Sequence, residues 1–287
     1  DPPNSKIAKT AITIQATDEI NGQIDGINAL VQTICKDWDT TTGQWIERAT
    51  SNPASLFRYV LQHPANPQRV PDSQINLAQL QHWHEYCNQV RTVVYNNDTY
   101  QSTLQYNSVL GGNQQSVLDV LRDIAAAGRA SPAMLDGKWS VVIDEPKSAI
   151  VQHFTPHNSW GFEASKILPR MPEALKVQFN DRDSDYVQKE VIVSYADKDA
   201  NAAQLLEAIQ LPGVTSTAEA VDHARWHLAQ IKLRPEVYVL NTDIEYIVCT
   251  RGDRVKVSHD VPMWGSGTAR IKQVQGTTST NITILQL

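Results

Sequence analysis

The sequence predicts an α+β fold in which β-rich, barrel-like ends flank an inserted helix–sheet section. Three observations carry this. The segments at both ends alternate apolar and polar residues with period two, as half-buried strands do. The middle carries amphipathic helices with their own start and stop signals. The apolar fraction of 41% and charged fraction of 20% belong to a chain that packs a core. The expected division is a β-rich segment at 1–50, a helix–sheet domain at 51–155, and a barrel-like domain with one amphipathic helix at 156–287. No repeat of fixed period and no low-complexity linker marks the boundaries, so they are shallow.

In "KIAKTAITIQA", Ile7, Ile12 and Ile14 alternate with polar residues and read as a strand. "LVQTICKDWDTTTGQWIERAT" reads as a hairpin turning at Gly43, with Trp38 and Trp45 paired across it. Asn52 and Pro53 open a helix whose apolar face is Leu56, Phe57, Val60 and Leu61, and Pro64 stops it. A second helix is expected from Asp72, with Leu77, Leu80, Trp83, His84 and Cys87 on one side. A third follows from Ser116 and Asp119 in capping-box spacing, a Val117–Leu121–Ile124 stripe and a stop at Gly128. "GKWSVVID" and "AIVQHF" read as strands, and "EALKVQFNDRD" with "YVQKEVIVSYAD" as a strand pair. "TAEAVDHARWHLAQIKL" is an amphipathic helix on Val221, Ala224, Leu228 and Ile231. Beyond Pro235, "EVYVLNT", "EYIVCT", "DRVKVSH", "ARIKQVQ" and "NITILQL" all read as strands.

Composition removes several function classes. A formal net charge of −6 and the lack of any Lys/Arg block argue against specific nucleic-acid binding. No apolar run approaches the ~20 residues of a membrane span. Three widely separated cysteines do not make a disulfide framework, and reduced thiols imply folding in a cytosol. The opening "DPPNSKIAKTAITIQ" has no initiator Met and no signal-peptide pattern, which is expected of a piece of a longer protein.

Chemical motifs are few. Arg251-Gly252-Asp253 has the letters of an adhesion tripeptide, but between two strand-like runs a Gly-Asp pair reads as a tight turn. His223 and His227 are spaced to share a metal on a helix face, yet Ala224 stands where a zincin needs Glu, and no further ligand set is evident. His82 and His84 point to different faces of their helix. Asp144 and Glu145 read as a solvated turn. Ser266 sits in "WGSGT" but not in a nucleophile elbow, and no phosphate loop, dinucleotide fingerprint or Cys-x-x-Cys is present. No catalytic residue, metal site or cofactor is expected. The seven tryptophans could line a sugar-stacking face, and are otherwise core or interface anchors.

Whole phrases carry more than motifs do. "NPASLFRYVLQHPAN", "DVLRDIAAAGRASPAMLDGKWSVVID", "VQHFTPHNSWGFEASK" and "LRPEVYVLNTDIEYIVCTRGDRVKVSHDVPMWGSG" occur in this order between about residues 50 and 267. They resemble the phage tail-tip attachment, or host-specificity, protein family: the lambda-like, baseplate-hub-like proteins of long-tailed phages and prophages. The resemblance implies a virion structural protein that is not an enzyme and takes no cofactor. Three copies would form the hub ring that closes the tail tube and links it to the host-recognising fibre. Implied partners are the chain itself as a homotrimer, and the tube, distal-tail, tape-measure and fibre proteins. A host receptor would be met through C-terminal parts that this chain lacks. Trp160 and Phe162 in "HFTPHNSWGF", and Met263 and Trp264 in "DVPMWGSG", are the expected interface residues, because large aromatic and apolar side chains anchor interfaces. A carbohydrate-binding receptor module, which needs several tryptophans on one surface, is the competing reading.

Overall fold

Strong local signals start most of the elements. A computed structural model describes residues 29–110, 116–166, 171–195, 203–259, 274–278 and 281–284. Residues 1–33 group as one unit, of which 29–33 are described and form neither helix nor strand. The expected strand at Ile7–Ile14 lies outside the described residues. The second unit, from Ile34 onward, contains every helix and strand described below.

β1 (Ile34–Asp39) and β2 (Gln44–Ala49) form the expected hairpin. Gly43 turns it at φ 65°, and Trp38 lies opposite Trp45 with ring centroids 5.7 Å apart. α1 (Pro53–Gln62) begins where Asn52 Oδ1 accepts from the Ala54 amide at 2.9 Å. The second helix starts later than expected. Residues Asp72–Gln74 make only a 3₁₀ turn, Ile75 is extended, and α2 (Leu77–Asn88) is capped by Asn76. Two competing contacts explain the delay. The Asp72 carboxylate is engaged by Arg58 at 2.8 Å and Gln62 at 2.7 Å, and Ile75 bridges to Trp139, with the Asn76 amide donating to the Trp139 carbonyl.

Hairpin β3 (Arg91–Tyr95) and β4 (Asp98–Ser102) turns through Asn96 and Asn97, both at positive φ. α3 (Val117–Ala127) is capped by Ser116, as its spacing predicts. It ends at Gly128, for a reason other than left-handed backbone: Gly128 has φ −92°, and Arg129 takes the positive φ. A Cβ at Gly128 would lie 2.5 Å from the Trp83 ring, whose Nε1 donates to the Gly128 carbonyl at 2.8 Å. β5 (Ala130–Leu135) and β6 (Lys138–Ile143) close over Asp136-Gly137, again with both φ positive. These elements enclose a first core around Phe57, Leu61, Leu80, Trp83, Leu121 and Ile124, in which Phe57 meets Trp83 edge-on.

A second core rests on a three-stranded sheet. β9 (Ala174–Asp181) pairs antiparallel with β10 (Val187–Ser194) and parallel with β11 (Leu206–Gln210). Leu175, Val177 and Phe179 alternate inward beneath α4 (Thr217–Leu233), which buries Ala220, Val221, Ala224 and Leu228 on them. Val93 of β3 joins this second core, so the β3–β4 hairpin packs with α4 and its sheet although it precedes both in the sequence.

The remaining strands pair in twos. β7 (Gln152–Phe154) runs parallel to β13 (Val255–Val257), β8 (Trp160–Lys166) antiparallel to β12 (Glu236–Asn241), and β14 (Val274–Thr278) antiparallel to β15 (Asn281–Ile284). The α+β class holds, but among the described residues no sheet closes into a barrel. "EYIVCT" is not a strand: Ile244–Val248 coils into a 3₁₀ turn, and Ile244, Tyr246, Ile247 and Val248 stay exposed among the described residues.

Candidate interaction surface

The β8–β12 ribbon is the most exposed regular structure among the described residues. Nearly every residue of β8 is open to solvent, and β12 exposes Val237 and Val239. The chain then enters the 3₁₀ turn, where Ile244 is 73% exposed and Tyr246, Ile247 and Val248 are each more than half exposed. Alternation that would bury one face of a packed strand here leaves apolar groups in water. Large apolar patches left exposed are found at interaction sites, ligand grooves and aggregation-prone surfaces.

The two sequence-expected interface residues that are described both lie here. Trp160 starts β8 and is 54% exposed. Phe162 is half-buried, stacked between Tyr238 at 6.1 Å and His259 at 4.4 Å. Gly161 between them has φ 64°, a conformation that favours glycine, and a Cβ there would displace the Asn241 amide, 2.5 Å away. Met263, Trp264 and Ser266 lie outside the described residues. The apolar turn Ile244–Val248 was missed by sequence reasoning, because the same alternation that signals a strand also fits an exposed coil.

The other candidate residues are engaged by neighbouring groups. Thr250 to Asp253 form a turn in which the Thr250 amide and hydroxyl donate to Asp253 Oδ2 at 2.8 and 2.9 Å. Gly252 sits at φ 93° against Val142, so the Arg251-Gly252-Asp253 letters serve a turn whose carboxylate is already engaged. His84 is buried and hydrogen-bonds Asp37 at 2.9 Å, whereas His82 lies on the surface against Glu145 at 2.9 Å. The adjacent Asp144 is not merely solvated: it accepts from Gln230 at 2.7 Å and is held by Arg234 at 2.7 Å. His223 is buried and His227 half-buried, and among the described residues no three ligating side chains gather as a metal group. His153 Nε2 meets Ser258 Oγ at 2.8 Å beside the stacked aromatics, but Ser258 is buried and no carboxylate joins the pair among the described residues. Of the six described tryptophans only Trp160 is exposed, so these six form no sugar-stacking face.

Comparison with known proteins falls on the same part of the chain. Residues 165–274 match the model of a family described as putative phage tail protein. That model spans less than half of the chain. The matched segment includes β9 to β13, α4 and the exposed turn, and starts within β8. Among solved structures, the tail protein from Neisseria meningitidis MC58 matches with a TM-score of 0.42 and 13% identity. That match covers 56% of this chain and 50% of the other. No curated protein matches the chain. No helix among the described residues is long and apolar enough to cross a membrane.

Proposed function

We propose that this chain is a structural component of a phage or prophage tail tip, acting through assembly rather than catalysis. Three copies form a hub ring that closes the tail tube, with tube proteins docked above and the fibre below. The virion tail tip is its place of work and the bacterial host cytoplasm its place of folding. The observation that supports this most is the exposed apolar run of Val237, Val239, Ile244, Tyr246, Ile247 and Val248, which lies inside the tail-family match. Trp160 and Phe162 border it, and Met263 and Trp264 complete the proposed interface. Domain boundaries near residues 51 and 155 belong to the same reading.

Light scattering across a concentration series tests it. The expected outcome is a rise toward three chains in the wild type, shifted to higher concentration by Ile247→Lys. A mass that stays at one chain at every concentration, with Ile247→Lys indistinguishable, removes these residues from the ring contact.

A further inference from the structure

The two cores meet along residues 103–107, the strip of chain that follows β4. Leu104 and Tyr106 belong to the first core, at 1% and 5% exposure. Gln105 and Asn107 reach the second. The Gln105 amide donates to a Glu219 carboxyl oxygen at 2.6 Å, the Asn107 amide to the Gly213 carbonyl at 2.7 Å, and Asn107 Nδ2 to Thr215 Oγ1 at 3.2 Å. The strip is thus held to one core by apolar contact and to the other by hydrogen bonds, one of which ends on an ionisable side chain.

That side chain is set apart from the other buried acids. Among the described residues these are Asp37, Asp181 and Glu219. Asp37 is paired with Arg48 and His84, and Asp181 with Lys189, but Glu219 has no cation within salt-bridge distance among the described residues. It lies in the first turn of α4 at 3% exposure, between Ala218 and Ala220, which are buried with it. The charged and titratable groups around it are otherwise engaged or neutral. Arg129, between α3 and β5, is held by Asp222, as is Arg91 of β3 at 4.0 Å, and Arg182 lies 3.9 Å from Asp183. Cys87 of α2 and His223 one turn along α4 are buried, and burial keeps both uncharged near neutral pH. Desolvation outweighs the Gln105 hydrogen bond and the Arg182 and Arg129 charges, and pushes the Glu219 carboxyl up to about 8. Separating the strip from α4 admits water to that carboxyl and lets it release one proton.

We propose that Glu219 and residues 103–107 form a pH-sensitive latch between the two cores, closed while Glu219 carries its proton and opening locally, ahead of global unfolding, as the solution turns alkaline. The device is independent of the hub reading. The closed latch binds a proton that the open one gives up, so opening grows with pH between about 4.5 and 8 and levels off beyond.

The test is residue-resolved hydrogen exchange of the full chain by NMR from pH 5 to 9, under conditions where reclosing outpaces exchange. Base catalysis alone raises any amide's rate about tenfold per pH unit, and release of one proton on opening adds up to another tenfold. The Gln105 amide is therefore expected to accelerate about a hundredfold per unit between about pH 5 and 7.5, and about tenfold per unit above about 8. Glu219→Gln should return the lower window to about tenfold, and the ¹³C shift of the wild-type Glu219 carboxyl should show it neutral at pH 6. The wild-type slope and that shift decide the matter even if the variant does not fold. A tenfold slope for Gln105 in the wild type, an ionised carboxyl at pH 6, or an unchanged slope in a folded Glu219→Gln overturns the proposal. So does exchange of Gln105 at the rate of Leu121 and Val177 in the two cores, because the contact then opens only with the whole fold.

Discussion

Asp37 shows what a single residue does at the base of the first core. It is 3% exposed and accepts from Ser55 at 2.5 Å, Thr50 at 2.9 Å and Arg48 at 2.5 Å, with His84 at 2.9 Å. Burial alone would raise its carboxyl, but hydrogen bonds from His84 and Ser55, the His84 charge and Arg48 together hold it well below the carboxylate range. A depressed pKa stabilises the fold above the unfolded value of 3.8 and ceases to do so as pH falls through the folded value. Asp37→Ala leaves several donors unmatched. We predict a loss of about 3 kcal/mol in urea unfolding at neutral pH and a flatter acid limb. A loss under about 1 kcal/mol would mean that water replaces the carboxylate without cost.

Glu219 and His223 work against each other on the buried side of α4. Burial pushes Glu219 up to about 8, with the Gln105 amide, which donates to it at 2.6 Å, working the other way. Burial, then the Arg129 charge, pull His223 down to about 3. The Glu219 contribution is complete below 4.5 and lost as pH rises to about 8, because the unfolded chain gives up that proton first. The His223 contribution is complete above 6.5 and lost as pH falls toward about 3. Glu219→Gln keeps an acceptor for Gln105, and thermal unfolding should then show no stability loss from this site between about pH 5 and 8. An unchanged slope across that window would contradict the assignment.

At the scale of elements, the sequence was legible where one local signal decided the structure. Asn52-Pro53, Ser116 with Asp119, and the α4 stripe each named a helix that the fold contains. It was illegible where a distant partner decided. Asp72 looks like a helix start until Arg58 and Gln62 engage it. Pro132 hides β5, a strand at the edge of a two-stranded sheet where a missing amide is tolerated. β3–β4 announces itself only through Asn96-Asn97, whose positive φ values any residue without such tolerance would disfavour. Trp160 and Phe162 were readable as aromatics among turn residues, and the fold places both on the β8–β12 ribbon. Gly128 makes the sharpest element-scale prediction. Gly128→Ala drives a methyl into Trp83 and should cost about 2 kcal/mol, read from the chemical-denaturation midpoint. A neutral effect would show that the ring can shift.

Across the whole second unit, two apolar cores are joined by polar ties rather than by one continuous core. Arg129 holds Asp222 at 2.8 Å, Asn107 reaches Thr215 at 3.2 Å, and Asp144 holds Arg234 and Gln230 near the end of α4. The Asp144–Arg234 pair is partly exposed and worth little, whereas Arg129 and Asp222 are largely buried and their attraction is offset by desolvation, so the ties align the cores more than they stabilise them. Asp144→Ala should therefore leave the unfolding midpoint within about 1 kcal/mol of wild type while hydrogen exchange accelerates in the last turns of α4. Uniform exchange along α4 would place the hold elsewhere.

The three thiols differ in a way that has a practical consequence. Cys87 is fully enclosed and pushed well up by burial, and Cys35 is buried and pushed up to about 11. Cys249, directly after the exposed turn, is the partly open one. A maleimide dye therefore has one preferred point of attachment in the native chain, with no engineering, and that point adjoins the surface proposed to meet neighbouring copies. Its emission would report any contact made at that surface in real time, from a position the chain already provides.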